Sequence, residues 1–418
     1  MSYGTRCSLT AVLVLMLATL VSLNCAKQEG SQLEAGLALY RQNKLEEARP
    51  LLEAAVEQDP QNPDAHAWLA ETCRRLHNRD EAMVMARRAL ELDPCNAFAH
   101  QVLAWAYNPI YGIWEGADAD TAWHHLLQAA RCDSTDGNIW TSMWVEALRR
   151  GNRTLEKKAL RVLMESEFFT PALLAYNRWM LRHLPQNALL LTNGDMDTYP
   201  AVALQEVENF RPDVAVANRS LLNTTWYPRF LRDRYGLPLP FDDDQLDALE
   251  PYRGEDGDLV VVSSQILGGW LEQRKKGAFP RPITISVTVG DLRFAAEPQA
   301  HLRMMGPFYS WLPEPVESPQ DTAMMRTSLA HLDPDDFRGP FVSPQDRSPV
   351  RRAYTHNLVT NIAAAALRYC EELIQAGHTS QALKMLRWVE EFENSTELGP
   401  VSAKKVEELR NRAGGKTE

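Results

Sequence analysis

The spacing of hydrophobic and polar residues changes near residue 185. From residue 30 up to that point, small residues and prolines recur with a period of 34: Ala48 and Ala82 are 34 residues apart, and so are Pro60 and Pro94. A period of this length is typical of repeated pairs of antiparallel helices, which stack because one pair cannot bury its apolar face alone. The pattern therefore predicts an array of α-hairpins over residues 30–184.

A third copy of the repeat begins at Ala97 and contains a longer turn, because Ala82 and Ala122 are 40 residues apart. This period and these small residues resemble the tetratricopeptide repeat. The resemblance implies a concave surface that docks a protein partner. Two aromatic residues of the longer turn, Tyr111 and Trp114, are predicted to pack against the next domain or, alternatively, to form a binding patch.

Short apolar runs and helical patterns alternate after residue 185. Four runs rich in β-branched residues are predicted to be strands: 188–192, 214–217, 259–263 and 283–289. The helical patterns between them cover 200–210, 227–235 and 266–276. Alternation of this kind predicts a mostly parallel sheet with helices on its faces. Proline, aspartate and serine are frequent over 306–349, so that stretch is predicted to be irregular.

The chain ends with two helical patterns, 354–375 and 380–392, which are joined at Gly377. The predicted fold class is an N-terminal tetratricopeptide α-hairpin array, then a mostly parallel α/β domain, closed by a C-terminal helical hairpin. The predicted segments are a leader at 1–25, the repeats at 30–184, the α/β domain at 185–349, the helical hairpin at 350–412 and a disordered tail at 413–418.

The first residues predict an exported protein. An uncharged apolar run follows Arg6 and covers 9–23, which is shorter than a helix that spans a membrane. Such a run is typical of a secretory signal. It ends at Cys25 in a setting that resembles the lipobox of bacterial lipoproteins, although Ser22 and Asn24 depart from the usual residues. We expect a cell-envelope or periplasmic protein anchored by lipid on Cys25, with plain secretion or an uncleaved anchor as alternatives.

Composition excludes one class of partner. Hydrophobic residues make up 45% of the chain and charged residues 24%, as in ordinary globular proteins, and the formal net charge is -11. Because phosphate backbones are bound by concentrated lysine and arginine, no nucleic-acid partner is expected. The membrane is expected to be contacted through the lipid anchor alone.

Four cysteines lie beyond the leader, at Cys73, Cys95, Cys132 and Cys370. Their spacing matches no metal-binding or redox motif. We expect them to be buried free thiols, with a disulfide from Cys73 to Cys95 or Cys132 as the alternative for an exported chain.

Polar residues follow the first two predicted strands. They are Asn193, Asp195, Asp197, Asn218, Asn223, Thr224 and Trp226. Because ligands of parallel sheets gather where strands end, these side chains are predicted to bind a polypeptide or a glycan. The alternative is that they build turns and cap the helix that contains Pro200.

Asp195 and Asp197 resemble the paired carboxylates with which some glycosyltransferases hold a divalent cation. No glycine-rich phosphate loop accompanies them. His124 and His125 are adjacent, and adjacent helical residues do not face each other, so one is expected to be solvated and the other half-buried. The sequence therefore assigns no catalytic residue, no metal ligand and no cofactor.

The same region carries a second resemblance. Residues 192–198, 205–214 and 220–227, with 281–289 and 305–313, resemble the soluble C-terminal region of the DUF2723 family of bacterial membrane proteins, which are likened to protein O-mannosyltransferases. The resemblance covers roughly 185–392. In that family glycosyl transfer is attributed to a membrane-embedded part, in whose place this chain has helical hairpins, so no catalytic residue is transferred.

Three hypotheses about function follow. The first is a non-catalytic, envelope-anchored scaffold whose repeats dock a protein partner and whose α/β domain binds a polypeptide or a glycan. The second is a metal-assisted enzyme that acts on glycans or glycoconjugates through Asp195 and Asp197. The third treats the α/β domain as a structural spacer.

Overall fold

A computed structural model describes residues 32–109, 116–254, 257–290, 298–318, 320–396, 400 and 402–414. The leader with Cys25, the turn with Tyr111 and Trp114, and residues 415–418 lie outside this set. The described residues form two compact units, the first within 1–139 with 347–349 and the second within 140–346 with 350–418. The predicted segment boundaries, which were drawn from repeats and composition, stay a prediction. No described helix is both long enough and apolar enough to cross a membrane.

The first unit is an array of paired helices, as predicted. Residues 32–41 form α1, and the next helices are α2 (Leu45–Gln58), α3 (Pro63–Arg75), α4 (Arg79–Leu92), α5 (Ala97–Tyr107), α6 (Ala119–Cys132) and the start of α7 (Gly137–Arg149). Consecutive helices pack against each other from α2 to α6.

Small residues and polar caps explain this array. Ala48 and Ala82 are fully buried, and a Cβ atom added at Gly36 would lie 2.9 Å from the Leu52 side chain, so larger residues would push the helices apart. The side chain of Asn62 accepts hydrogen bonds from the first turn of α3, and that of Asn96 accepts one from α5. These caps begin the first helix of the second and third hairpins.

The prediction of free thiols is confirmed for two cysteines and wrong for two. Cys73 and Cys370 are buried and free, but Cys95 and Cys132 form a disulfide with their Cα atoms 5.3 Å apart. Cys95 follows α4 and Cys132 ends α6, and the packing of the hairpins brings these distant positions together. The bridge therefore joins consecutive repeats.

Two histidines of the first unit form a neutral pair. The Nδ1 atoms of His100 and His125 are 3.0 Å apart, and the Nε2 atom of His100 lies 3.2 Å from the carbonyl oxygen of Pro94. Because that Nε2 atom donates to the carbonyl, the His100 Nδ1 atom accepts from His125. Burial, followed by the nearby charges of His100, His124 and Arg87, lowers the pKa of His125 to about 4. His124 is exposed and His125 half-buried, as predicted.

Acidification is expected to weaken the first unit through His125. The pKa of His125 in the folded chain lies below the ordinary value of 6.5. Between pH 6.5 and about 4 the unfolded chain therefore binds more protons, and the free energy of unfolding decreases as the pH is lowered. Since the ring is partly exposed, we expect a loss of about 1 kcal/mol between pH 7 and 5. His125→Gln should flatten this part of the urea-midpoint profile, and His124→Gln, which removes only one of the smaller causes of the lowered pKa, should flatten it much less. Equal profiles for His125→Gln and the wild type would contradict the assignment.

The second unit is built on a mixed five-stranded sheet. Its strands are β1 (Leu189–Thr192), β2 (Ala215–Asn218), β5 (Ile283–Ser286), β6 (Leu302–Met304) and β7 (Phe308–Trp311). Their order is β2-β1-β5-β7-β6. Strand β1 is parallel to both neighbours, and β7 is antiparallel to β5 and β6. The parallel part confirms the predicted α/β sheet, and an antiparallel edge extends it.

Helices cover this sheet. They are α8 (Arg153–Glu165), α9 (Pro171–Arg182), α10 (Asp195–Glu208), α11 (Trp226–Tyr235), the short α12 (Asp243–Asp247) and α13 (Val262–Lys275). Leu189 and Leu191 pack in one core with Leu231 of α11 and Trp270 of α13. Helix α10 packs against β2, α8 and α9. The predicted fold class is therefore confirmed.

The run at 259–263 is not a strand of the main sheet, so that prediction was wrong. Residues Leu259–Val260 form β4, which pairs only with β3 (Tyr252–Arg253) in a two-stranded antiparallel ribbon. Leu259 is 59% exposed, and helix α13 begins at Val262. Three valines in a row raise β-propensity, but tertiary packing overrides that preference.

The stretch 306–349 is also more regular than predicted. It contains β7, helix α14 (Thr322–Ala330) and a 3-10 turn at Pro334–Phe337. The side chain of Asp321 caps α14 and that of Asp333 caps the turn, so acidic residues taken as loop markers begin helical structure.

The chain ends with α15 (Pro349–Gln375), α16 (Thr379–Ser395) and α17 (Ala403–Gly414). The first two form the predicted pair of helices, and α17 packs against α16 as a third. Helix α17 includes Ala413 and Gly414, which were expected to be disordered.

Candidate functional site

The two polar corners predicted from the sequence meet at one edge of the sheet. Thr192 at the end of β1 pairs with Asn218 at the end of β2. The Nδ2 atom of Asn218 donates to the carbonyl oxygen of Gly194 at 3.2 Å, and the hydroxyl of Ser220 donates to that of Asn193 at 3.2 Å. The side chains therefore share a rim, as expected of neighbouring parallel strands.

Asp197 is fully buried and holds the first turn together. Its Oδ1 atom accepts from the Gly194 N–H at 2.9 Å, and its Oδ2 atom accepts from the Asn193 N–H at 3.0 Å and from the Thr288 hydroxyl. Burial raises the pKa of Asp197, against the opposing effect of these hydrogen bonds. The carboxylate caps α10, which begins at Asp195, five residues before Pro200 and earlier than predicted.

Pro200 lies inside α10 and removes one helical hydrogen bond. The carbonyl that it leaves without a helical donor is that of Met196, and this oxygen accepts from the buried Asn177 side chain of α9 at 3.0 Å. This tertiary hydrogen bond allows α10 to begin before Pro200, although proline is usually found in the first turn of a helix.

The other predicted site residues after β2 also bond to the chain itself. Asn218 is buried, and its Oδ1 atom accepts from the Leu221 N–H at 3.1 Å. The Oδ1 atom of Asn223 accepts from the Ser263 N–H at 2.9 Å, and the Thr224 hydroxyl donates to the Leu221 carbonyl at 2.7 Å. These bonds build the turn between β2 and α11.

Trp226 is a half-buried member of the adjoining core rather than an exposed platform. Its ring lies 5.4 Å from that of Tyr227 and 6.5 Å from that of Phe230. Its Nε1 atom is buried and has no hydrogen-bond partner among the described residues. The side chain packs against the core and is partly exposed, and its binding role stays a prediction.

Asp195 and Asp197 do not converge as a pair. Asp195 keeps 41% of its side chain exposed and faces the Arg351 guanidinium at 3.7 Å, whereas both oxygens of Asp197 point into the turn. Among the described residues, no three His, Cys, Asp or Glu side chains are grouped to hold a metal ion. Asn193 and Asp195 are half-buried and Asn223 is exposed, and ligand binding by these and the other predicted site residues stays a prediction.

The strand order reverses between β1 and β5, and this is where ligands of open α/β sheets usually bind. Helix α15 covers this crevice, because a Cβ atom added at Gly194 would lie 3.0 Å from the Tyr354 ring. Arg351 of the same helix is held by Asp346 at 2.6 Å. Thr288 and Tyr354 were not predicted to be at this position, although Thr288 lies within the fourth predicted strand.

A cavity of about 530 Å³ lies elsewhere in the second unit, between α9 and residues 331–338. Its apolar lining is Pro171, Leu174, Ala175, Trp179, Leu332 and Phe337. Its polar lining is Arg178, Arg182, His331, Asp335, Asp336 and Arg338. The cavity was not predicted from the sequence. The residues of its lining that belong to α9 recur at positions i, i+3, i+4, i+7 and i+8, which places them on one face of the helix.

Comparisons with known proteins match the helical repeats and the α/β region to two different families. A tetratricopeptide repeat model matches residues 39–107, and a model described as TMEM260-associated domain 2 matches residues 174–267. The prediction of tetratricopeptide repeats is confirmed for the matched part. The second match covers the four strands β1 to β4 and the helices α10 to α12, and the resemblance to the DUF2723 family stays a prediction.

Solved structures are similar to the chain at low identity. The thermophilic protein TTC0263 of Thermus thermophilus is 21% identical over 50% of this chain and 97% of its own, with a TM-score of 0.33. PilF of Pseudomonas aeruginosa is 19% identical over 54% of this chain and 89% of its own, with a TM-score of 0.32. No curated protein matches the chain.

Proposed function

We propose that this protein is a non-catalytic scaffold of the cell envelope, whose first unit docks a protein partner and whose α/β part binds a second polymer. The tetratricopeptide fold itself suggests a scaffold for protein–protein interaction. The observation that carries the finer proposal is a row of aromatic side chains on the first helices of three consecutive hairpins.

This aromatic row consists of Tyr40, Trp68 and Phe98. The Tyr40 and Trp68 ring centroids are 5.2 Å apart and those of Trp68 and Phe98 are 4.7 Å apart, both in edge-to-face arrangements. Tyr40 is 1% exposed and the Arg347 guanidinium lies 4.5 Å from the centroid of the half-buried Phe98 ring, so the half-buried Trp68 is the member of the row best placed to contact a partner. Rigid aromatic side chains supply contact area at a low entropic cost, and they are enriched in binding hot spots.

The charge beside the row favours an acidic partner. Arg75 lies over the Tyr40 ring at 5.6 Å and donates to the Asn43 side chain at 2.9 Å, and both of these contacts are with neutral groups. In contrast, Arg74 is neutralised by Glu71 through two hydrogen bonds of 2.7 and 2.9 Å. We infer an extended polypeptide that places a carboxylate near Arg75 and an apolar side chain on Trp68.

The location in the envelope is supported by the disulfide. Disulfides persist in oxidising compartments and are rare in the cytosol, so Cys95–Cys132 agrees with export. The leader at 1–25 and the lipid on Cys25 belong to the same proposal.

Photo-crosslinking tests the docking surface. In the full chain, p-benzoylphenylalanine placed at Trp68 is expected to capture a discrete partner in the membrane fraction, and Arg75→Glu in the same chain should reduce the adduct at least tenfold. The control position is Val84 of α4, which is 54% exposed and lies on a second helix of a hairpin.

Equal adducts from positions 68 and 84, or an adduct insensitive to Arg75→Glu, would overturn the docking proposal. The same fractions test the anchor, because Cys25→Ala should move the protein to the soluble fraction if lipid holds it. A protein that stays in the soluble fraction without the substitution would contradict the anchor.

A further inference from the structure

The cavity between α9 and residues 331–338 has no part in the docking surface of the first unit. We propose that it binds a polypeptide segment, with an apolar side chain on the floor and an acidic and a basic neighbour at the rim. This inference rests on the proposed binding role of the α/β part and names the class of polymer that it takes.

The floor is apolar and rigid. Trp179 is 3% exposed and its Nε1 atom donates to the Ser328 carbonyl at 2.8 Å, which fixes the indole ring. On the opposite wall Phe337 is buried, stacked on Phe341 at 5.9 Å and in edge contact with Phe392 at 5.4 Å. A preformed cavity of about 530 Å³ is within the usual size of ligand sites.

The rim offers two opposite charges. Arg178 pairs with Glu208 at 2.6 Å, and Arg338 pairs with Asp335 at 2.7 Å. The remaining charged groups, Arg182 and Asp336, have no ion-pair partner within the described part of the chain. A ligand that brings one carboxylate and one ammonium group around an apolar side chain would complement both.

His331 adds a hydrogen-bonding atom. The Nδ1 atom of His183 donates to the Trp179 carbonyl at 2.8 Å, and burial lowers the pKa of His183, so the neutral ring accepts at its Nε2 atom. The His331 Nδ1 atom, 3.0 Å away, therefore donates to His183. The Nε2 atom of His331 is then left to form a hydrogen bond with a ligand.

These features favour a polypeptide over a glycan. Sugars are recognised by the open face of an aromatic ring with neutral hydrogen-bonding groups around it. Here Trp179 and Phe337 are 3% and 1% exposed, so neither offers an open ring face, and the apolar lining residues that stay partly accessible include the aliphatic Leu174 and Ala175. Backbone N–H groups and charged side chains around an apolar residue are properties of peptides.

Fluorescence anisotropy with the full chain tests the proposal. The probes are labelled, terminally capped pentapeptides with leucine, phenylalanine or alanine between one glutamate and one lysine. We expect the leucine or phenylalanine peptide to bind at least tenfold more tightly than the alanine peptide. Ala175→Trp, which fills the cavity, should abolish binding, and Arg182→Glu should weaken it at least tenfold.

Arg161→Glu, the same charge change on an exposed position of α8 outside the cavity, should leave binding unchanged. Peptides with the two charges exchanged should recover binding to Arg182→Glu combined with Asp336→Lys. Binding that survives Ala175→Trp, or no binding by any probe, would overturn the proposal, as would a neutral tetrasaccharide that displaces the peptide. Crosslinking from position 68 is a separate readout, so failure here is distinguishable from failure of the scaffold.

Discussion

Asp197→Ala is expected to lower the free energy of unfolding of the second unit by about 4 kcal/mol, the largest effect we expect of a single substitution at the strand edge. The change leaves the Asn193 and Gly194 N–H groups without the acceptor that each uses, and it leaves the Thr288 hydroxyl with the Ser286 Oγ atom as its remaining acceptor. Each buried donor without a partner costs about 1–3 kcal/mol, less what water recovers. Calorimetry should show the melting temperature of this unit lowered by about 10 °C.

Asp195→Ala is the matched control, two residues away in the same turn. Its side chain is 41% exposed and its ion pair with Arg351 is long at 3.7 Å, so the loss should stay within about 0.5 kcal/mol. Equal losses for the two variants would show that the hydrogen bonds of Asp197 do not hold the turn. A metal requirement for stability, lost in both variants, would instead support the metal-assisted enzyme.

Replacement of Cys95 and Cys132 by serine is expected to destabilise the first unit by up to about 4 kcal/mol. The bridge closes a loop between residues 37 apart, and its loss restores the conformational entropy of that loop in the unfolded chain. Urea unfolding of the oxidised wild type should therefore show a higher midpoint than that of the double variant. Dithiothreitol should lower the wild-type midpoint to that of the double variant.

Cys73→Ala is the control for this measurement, because Cys73 is buried and free. It should leave a small cavity and lower stability, but it should not change the response to dithiothreitol. A wild-type protein whose midpoint ignores dithiothreitol, or whose peptide digest contains no Cys95–Cys132 link, would contradict the bridge and weaken the argument for export.

Much of the fold could be predicted because its signals are local and periodic. The repeat period of Ala48 and Ala82 reports helix contacts within 34 residues, and both positions are fully buried. The runs at 188–192 and 214–217 became β1 and β2 within one residue. The prediction that the valine run at 259–263 is a strand of the main sheet was wrong, because β-branched residues do not indicate whether the sheet has room for another strand.

The positions of the polar residues at the strand ends were predicted, but their burial and their packing partners were not. The sequence indicated that polar corners follow β1 and β2, and the structure places them side by side. Nothing in the sequence indicated that Asp197 would be fully buried. Nor did it indicate that Tyr354, more than 150 residues later, would pack on Gly194. Hydrogen-bond partners at such separations depend on how distant elements pack.

The sequence by itself determined the helical repeats, the strand–helix alternation and the acidic character of this protein, because periodicity and composition are properties of neighbouring residues. Tertiary structure alone decided the partner of Cys95, the closure of the strand-end crevice by α15 and the cavity beside α9. Each of these joins residues from distant segments, and a contact of that kind leaves no periodic mark along the chain.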